Sequence, residues 1–405
     1  MKSNWQSSKI RAARSHQDLV WSSSVNDLNV VARDGKEIVL DDGRRMVEFV
    51  SCSYLGLETH EDLGVAAVNA IAQFGVQLSV ARTRIKVDLF DQLEERLGAI
   101  CAGAHAVVFN SVTAAHLAVF PLLGSGELPG FSLRRNGPVF VMDRTAHATI
   151  QINRGLLGQF GEVLRCDFND KQALSELIRR CSGDNRTVIT ISDSVGSMGG
   201  VVDIAWLLAE LEKVDGYAYV DDAHGTSVFG RFGSGYALRS LDHVFPERLI
   251  LAGSTSKAFG ATGGFAALPK RGTADFIKRH SVSYAFGGPP SLPGIAAAVA
   301  SAALHLDGEV ERRQRTLQDR IRLFDETAPG EIINRGTEMP IRGILIGDES
   351  SAVEKARALH SRGFATTTAM FPTVPLGEAM LRVALSSEHS PEQLRAFTAA
   401  LAQVR

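Results

Sequence analysis

The sequence has few cysteines, no long apolar run and almost no net charge, and each of these shortages excludes a class of protein. The 405 residues include four widely spaced cysteines with no Cys-x-x-Cys pair, so neither a disulfide framework nor a zinc ribbon is indicated. No apolar run approaches the roughly 20 residues that a bilayer-crossing helix needs. The polar start of the chain also differs from a secretory signal. We therefore expect a cytoplasmic protein without a membrane span.

The charge balance argues against a nucleic-acid partner. A formal net charge of −2 gives the molecule no overall positive field that would draw it onto nucleic acid or anionic lipid. Apolar residues make up 45% and charged residues 22% of the chain, a balance typical of globular enzymes with a large core. At roughly 150 residues per domain, the length predicts two or three structural units.

Six short apolar runs between residues 106 and 268 alternate with helical stretches. This alternation predicts an α/β fold with a mostly parallel sheet and helices on both faces. The ends of such strands are the usual place for a ligand, so the residues that follow each run are the first functional candidates. The predicted strands are 106–109, 139–142, 188–192, 217–220, 249–252 and 265–268.

The remaining patterns predict helices and one hairpin outside this sheet. Residues 30–49 alternate around an Asp-Asp-Gly turn and predict a β-hairpin. Apolar residues recur at helical spacing in 61–74 and 90–100, and we expect further helices over 295–305 and 309–324. We expect an N-terminal segment over 1–49 that joins the small domain, a large domain over 50–295 and a small α+β domain over 296–405.

Lys257 follows the fifth predicted strand in the stretch Gly-Ser-Thr-Ser-Lys-Ala-Phe-Gly. Its sequence neighbours are small and uncharged, which would leave the amine accessible and lower its pKa. Such a lysine suits Schiff-base formation. A solvated surface charge is the alternative interpretation.

Asp221 follows the fourth predicted strand in the stretch Asp-Asp-Ala-His-Gly. A carboxylate there can keep a pyridinium nitrogen protonated, which a pyridoxal 5'-phosphate (PLP) enzyme needs if the ring is to accept electrons. A helix N-cap is the alternative role for this aspartate. Ser111, Val112 and Thr113 open a helix after the first strand, where backbone N–H groups could bind a phosphate. Ser254 could add a hydroxyl to the same phosphate.

Taken in order, these motifs resemble the α-oxoamine synthases, a family within the fold-type I PLP enzymes. The resemblance covers nearly the whole chain. It implies a large α/β domain, a small α+β domain, PLP as cofactor, and a homodimer with active sites at the subunit interface. Its carriers are 54–57 (Tyr-Leu-Gly-Leu), 221–226 (Asp-Asp-Ala-His-Gly-Thr), 256–260 (Ser-Lys-Ala-Phe-Gly), 289–290 (Pro-Pro), 372–375 (Pro-Thr-Val-Pro) and 381–385 (Leu-Arg-Val-Ala-Leu).

The resemblance also implies roles for single residues. Lys257 would bind the cofactor as a Schiff base and later move protons at the substrate α-carbon. Asp221 would bind the pyridine nitrogen, and His224 the phenolate oxygen of the ring. The remaining implied roles are ring stacking for His147, a position near the phenolate for Ser197, and binding of the amino-acid carboxylate for Arg382. A capped loop histidine and a surface ion pair are the alternatives for His147 and Arg382.

The implied reaction joins an amino acid to an acyl thioester, on coenzyme A or an acyl carrier protein, with loss of carbon dioxide to give an α-aminoketone. Another fold-type I enzyme, an aminotransferase or a retro-aldol lyase, is the nearest alternative. A non-catalytic regulator or scaffold with the same fold is a more distant one, and the complete residue set argues against it.

The sequence departs from the family pattern at four places, which puts the standard substrates in doubt. Cys52 stands where an Asn is common, Phe90 replaces a frequent histidine, and residues 285–288 (Ala-Phe-Gly-Gly) replace a stretch with a Ser-Thr pair. Arg82 and Arg84 lie in a stretch that is often rich in Gly and Ser. They could meet a substrate carboxylate, a carrier phosphate or only acidic residues. A specialised natural-product or signal pathway is therefore an open possibility beside biotin or haem synthesis.

Overall fold

The computed structural model of the chain describes residues 5–371 and 373–404. Pro372, which belongs to one of the resemblance motifs, and the first four residues of the polar start lie outside the described residues. Packing divides the chain into two units. The first unit contains the chain up to Gly56 and from Arg315 onward, and the second unit runs from Leu57 to Gln314.

The N-terminal segment of the first unit is a helix followed by antiparallel strands. The predicted hairpin is present at the turn that contains Gly43, whose φ of +85° suits glycine. An additional strand pairs with its first arm. The elements are α1 (Trp5–Ser22), β1 (Val30–Asp34), β2 (Glu37–Leu40) and β3 (Arg45–Glu48).

The second unit alternates strands and helices, as the sequence predicts. Short 3-10 helices cover Leu57–Thr59 and Arg231–Gly233. The other elements are α2 (Glu61–Phe74), α3 (Leu89–Ile100), β4 (His105–Phe109), α4 (Val112–Ser125), β5 (Pro138–Asp143), α5 (Ala148–Gln151), α6 (Arg154–Leu157), β6 (Glu162–Cys166), α7 (Lys171–Gly183), β7 (Thr187–Asp193), α8 (Ile204–Glu212), β8 (Tyr217–Asp221), α9 (Tyr236–Arg239), β9 (Leu249–Ser254), β10 (Gly264–Leu268), α10 (Arg271–His280), α11 (Val282–Phe286) and α12 (Leu292–Leu306).

Within the described residues, the strands of the second unit form one seven-stranded sheet in the order β4-β10-β9-β8-β7-β5-β6. The pairs from β9 to β6 are parallel, whereas β10 is antiparallel to both of its neighbours. The predicted mostly parallel sheet is therefore present, and the edge strand β6 is additional to the six predicted strands. The start of β10, at Gly264, lies at the same edge as the ends of β4 and β9.

Apart from the edge strand β6, the strands of this sheet are buried on both faces, which explains why most of them are apolar runs. Val139 and Val141 of β5 point into one core, and Phe140 and Met142 point into the other. Helix α12 covers the first of these cores together with α2 and α3.

The position of α12 moves the domain boundary away from the expected one. The expected boundary near 295 falls inside α12, whose Ile295 is fully buried in the core of the second unit. The Gly- and Pro-rich residues 287–290 belong to the short connection between α11 and this helix. The division between the units comes later, within the next helix.

The C-terminal part completes the first unit. In the part of the chain that the structure describes, its strands form a three-stranded sheet, β11-β14-β13, and add β12 in parallel to β3 of a four-stranded sheet. The elements are α13 (Glu309–Thr327), β11 (Ile341–Gly347), α14 (Glu349–His360), β12 (Phe364–Ala365), β13 (Thr367–Ala369), β14 (Ala379–Ala384) and α15 (Pro391–Val404). Across residues 5–371 and 373–404, no helix has both the length and the apolar character needed to cross a bilayer.

Candidate active site

A cavity of about 190 Å³ lies in the second unit, at the edge where the parallel strands end. It brings together eight residues that the sequence analysis selected. These are Ser111, Val112, Thr113, His147, Asp221, His224, Ser254 and Lys257. Six further lining residues were not selected: Thr149, Asp193, Val195, Ala223, Ser256 and Gly263.

The N-terminus of α4 forms one wall of this cavity. Ser111 caps the helix, and its Oγ accepts the N–H of Ala114 at 3.1 Å. The N–H groups of Val112 and Thr113 are the first of the helix, and such groups have no partner within the helix itself. Gly264 of β10 passes so close that a Cβ there would lie 2.5 Å from the nitrogen of Val112. The wall therefore offers backbone donors and the positive end of a helix dipole to an anion.

The loop after β9 presents Lys257 to the cavity. The N–H of Ser256 donates to Ser254 Oγ at 3.0 Å, and the Ser256 hydroxyl bonds both the carbonyl and the N–H of Gly263 at 2.8 Å. These bonds fix the loop at both ends of the segment that carries the lysine. Lys257 itself is half-buried.

Lys257 is close enough to carboxylates to change their ionisation, which the sequence neighbourhood does not reveal. Burial acts to raise the pKa of Asp221, but its contact with His116 and the Lys257 charge outweigh it, and the pKa is lowered. The uncharged sequence neighbours of Lys257 do not describe its full surroundings in the fold, because Asp221 comes from a different strand.

Asp193 has the opposite pKa shift. Burial and the charge of Asp221 raise its pKa well above the usual range. Its Oδ2 accepts the backbone N–H of His147 at 2.8 Å. Asp221 is thus the carboxylate of the pair that stays ionised, as a partner of a pyridinium nitrogen must.

His147 lies on the cavity wall with its ring held by a threonine. Its Nδ1 is 2.8 Å from the Oγ1 of Thr149, and burial lowers its pKa, which favours the neutral ring. His147 also caps the short helix α5. It is therefore both a helix cap and a residue of the cavity wall.

The residues around the cavity fit PLP. The α4 N-terminus provides donors for a phosphate, the ionised Asp221 matches a protonated pyridine nitrogen, and Lys257 provides the amine for a Schiff base. These three features line one cavity of about 190 Å³.

Comparisons with known proteins agree with this fit. The aminotransferase class I and II family model matches residues 133–401. An 8-amino-7-oxononanoate synthase of Geotalea daltonii is 30% identical over 93% of this chain and 92% of its own length, and that of Geobacter sulfurreducens is 32% identical over 93% of each. A serine palmitoyltransferase from S. paucimobilis superposes with a TM-score of 0.85 at 20% identity over 99% of both chains. The chain belongs to the α-oxoamine synthase family.

Membership in this family confirms several predictions at once. The fold is that of the fold-type I PLP transferases, the cofactor is PLP, and the chain is an acyltransferase that forms a C–C bond.

The other predicted site residues of this α-oxoamine synthase are not among the residues that line the cavity of the second unit. Ser197 lies in the turn between Val195 and Val201, close in sequence to the lining residue Val195.

The remaining predicted residues differ in exposure and in the unit to which they belong. Arg84 is exposed and Arg82 is buried. Cys52 and Arg382 belong to the first unit.

Arg82 is a buried cation on an aromatic surface. Its guanidinium carbon lies 3.5 Å from the centre of the Tyr284 ring and 5.7 Å from those of Phe90 and Phe109. Its Nε and Nη1 make no hydrogen bond among the described residues, and burial lowers its pKa. The nearby Glu94 is already paired with Lys278 at 2.5 Å. Phe90, where the family often has a histidine, helps to form this aromatic surface.

Arg382 is held within the first unit by a thiol and a phenol. Its Nη2 lies 3.6 Å from Cys52 Sγ and 3.3 Å from the hydroxyl of Tyr54. Burial acts to lower its pKa, but Tyr54 and Cys52 raise it, so the side chain stays charged. The surface ion-pair alternative does not apply, because the residue is buried.

His116 of α4 is the contact that the sequence analysis missed. Its Nε2 lies 3.3 Å from Oδ2 of Asp221, and its Nδ1 lies 2.8 Å from the hydroxyl of Tyr219. A histidine at the buried face of an otherwise apolar helix was the available signal. Its distance in sequence from Asp221 hid the connection.

Proposed function

We propose that this enzyme condenses an amino acid with an acyl thioester, carried by coenzyme A or an acyl carrier protein, and releases carbon dioxide and a thiol to give an α-aminoketone. The observation that supports this most directly is the single cavity that joins Lys257, the ionised Asp221 and the N-terminus of α4. The departures from the family pattern lead us to propose a specialised pathway for the product.

We propose the following division of the cofactor contacts. The N–H groups and hydroxyls at 111–113, with Ser254, bind the phosphate, and Asp221 keeps the pyridine nitrogen protonated. His224 and Ser197 bind near the phenolate oxygen, and His147 lies against the ring. When bound, PLP supplies an electron sink for charge that develops at the substrate α-carbon.

Side chains of the protein then move the proton of the substrate α-carbon and bind the substrate carboxylate. Lys257 removes or returns the proton at the α-carbon, a task that needs an amine in a partly dry site. Arg382, with its planar fork, binds the carboxylate of the amino acid. Cys52, which touches Arg382, shapes this carboxylate site where the family commonly has an amide.

We propose that Arg82 and Arg84 bind the acyl thioester. The buried guanidinium of Arg82 has donor atoms without hydrogen-bond partners among the described residues, and such a cation is stabilised by an anionic group of a bound substrate. Arg84 is exposed and suits the outer, phosphate-bearing part of the thioester carrier.

We also propose a homodimer in the cytoplasm. Helix α2 exposes Val65, Val68 and Ile71 at helical spacing, and Val76 and Leu78 continue this apolar surface along the chain. A monomer would leave this surface in water. Phe286, which is 77% exposed, is a further candidate for contact with a partner subunit.

The experiment that tests the function is the absorption spectrum of the protein with PLP, recorded before and after addition of single amino acids. We expect a visible band of bound PLP that changes with one amino acid and is absent in Lys257→Ala. Lys270→Ala is the matched control, because this exposed lysine lies just after β10 and its Nζ is 3.2 Å from the Glu247 carboxylate. Absence of the band in the wild-type protein would overturn the proposal.

A second assay separates the synthase from an aminotransferase. An aminotransferase converts bound PLP to its amine form with an amino donor alone. The proposed reaction instead releases thiol and carbon dioxide only when the amino acid and the acyl thioester are both present.

A further inference from the structure

Each oxygen of the Asp221 carboxylate has a close neighbour. Oδ1 accepts the backbone N–H of Ala223 at 2.9 Å, and Oδ2 faces Nε2 of His116 at 3.3 Å. Asp221 and His116 are both buried, and His116 has no exposed surface. The Ala223 hydrogen bond orients the carboxylate, and the His116 ring lies beside it at ion-pair distance.

His116 is in turn oriented by its neighbours. The ring stacks on Phe120 with an angle of 4° between the planes, and its Nδ1 meets the Tyr219 hydroxyl at 2.8 Å. Tyr219 is fully buried, and its hydroxyl shares this hydrogen bond with Nδ1. Nε2, the other nitrogen of the ring, makes no hydrogen bond among the described residues and lies 3.3 Å from Oδ2 of Asp221.

We infer that Tyr219 and His116 form a relay of positioning residues that fixes and stabilises the ionised carboxylate of Asp221, and through it the affinity for the PLP ring. This inference rests on the proposed role of Asp221. It goes beyond that role because it assigns a function to a helix residue and a strand residue that do not line the cavity. His116 is a positioning residue, since it acts on the cofactor only through Asp221.

Removing the donor should weaken cofactor binding. In His116→Leu, the buried carboxylate loses a charge-assisted contact, and we expect the Kd for PLP to rise about ten-fold. His116→Gln places an amide nitrogen near the position of Nε2 and should restore most of the affinity. His389→Leu is the matched control: His389 is equally buried and bonded, but it belongs to the first unit and lies between Phe49 and the Ser386 backbone.

A double-mutant cycle distinguishes this relay from a general effect on packing. The Kd of PLP and the absorption bands of the bound cofactor are measured for His116→Leu in the wild-type and Asp221→Asn backgrounds. If His116 acts through Asp221, the substitution should add no further loss of affinity once Asp221 is neutral. An unchanged Kd in His116→Leu, or an equal loss in both backgrounds, would overturn the inference.

Tyr219→Phe keeps the test decisive if His116→Leu does not fold. This change removes only the hydroxyl that orients the ring, and it should raise the Kd by about three-fold with the same dependence on Asp221. The two proposals fail differently. If wild-type protein takes up no PLP, the proposed function fails, whereas PLP uptake that is equal in all the variants contradicts only the relay.

Discussion

The pKa values of two consecutive aspartates at the end of β8, Asp221 and Asp222, shift in opposite directions. His116 and Lys257 lower the pKa of Asp221, whereas burial raises that of Asp222 to about 7. Asp222 accepts hydrogen bonds from Ser194 and from the backbone of the α9 segment. We therefore infer that only the first of the pair serves the cofactor and that the second holds the loop in place.

The raised pKa of Asp222 predicts a particular pH dependence of stability. The folded carboxyl keeps its proton up to about pH 7, and the unfolded one loses it near pH 4, so the free energy of unfolding falls as the pH rises through this window. Asp222→Asn cannot titrate. Its stability deficit relative to wild type should therefore shrink by about 2 kcal/mol between about pH 5 and pH 8, as measured by urea unfolding. A deficit that grows with pH would contradict this.

Substitution of Arg82 is expected to affect substrate binding without lowering the stability of the fold. Arg82→Met removes a buried cation and keeps an apolar side chain on the Tyr284 ring. The free energy of unfolding should stay equal or rise by about 1 kcal/mol, while the KM for the acyl thioester increases. Arg84→Met, at an exposed site, is the control for stability. A destabilised Arg82→Met with an unchanged KM would assign the guanidinium to structure alone.

The sequence predicted the cavity residues that directly follow parallel strands. Lys257, Asp221 and Ser111 were found because each comes soon after a recognisable apolar run. Asp193 also ends such a strand, but a single aspartate there has no pattern that separates it from a helix cap. His116 could not be linked to Asp221 from sequence, because their contact depends on the rotation of α4 on the sheet.

At the scale of elements, the N-terminus of α4 combines a stabilising cap with the proposed phosphate site. Ser111→Ala should lower the free energy of unfolding by about 1 kcal/mol and raise the Kd for PLP by about five-fold. Asp170→Ala removes an equivalent cap, which bonds Ala173 N–H at 3.0 Å, from α7. It should cost similar stability and leave the Kd unchanged. Equal Kd values for the two variants would place the phosphate elsewhere.

The direction of β10 explains why Gly263 was missed. The rule that ligands lie at the ends of strands directed attention to the residues after 265–268. Because β10 is antiparallel, its beginning and not its end reaches the cavity, and Gly263 precedes it. Because β10 is buried on both faces, the pattern of apolar residues in its sequence does not show whether it runs parallel or antiparallel to its neighbours.

At the scale of the whole molecule, the exposed surface of α2 predicts the assembly state. Val68→Glu should convert the proposed homodimer to a monomer in sedimentation velocity, because a charge in an apolar interface is strongly unfavourable. Val68 is 65% exposed in the single chain, and Val244, at 64%, is the matched control. Val244→Glu should leave the dimer intact. A wild-type protein that sediments as a monomer would contradict the proposal.

The division into units was only partly predictable from the sequence. We expect the N-terminal segment to join the small domain, and the chain up to Gly56 forms one compact unit with the chain from Arg315 onward. The boundary near 295 was placed by a Gly- and Pro-rich stretch, which is typical of linkers and also of turns between helices. Burial of Ile295 decides between these two, and burial is a property of the folded chain.

The parallel pairing of β3 with β12 has a consequence for synthesis on the ribosome. Val47 and Phe364 are partners in this ladder, so one edge of the N-terminal sheet stays unpaired until almost the whole chain has emerged. The second unit is continuous in sequence and can fold during this interval. The early strands must meanwhile avoid other nascent chains, and the interval is a period of aggregation risk that lengthens as translation slows.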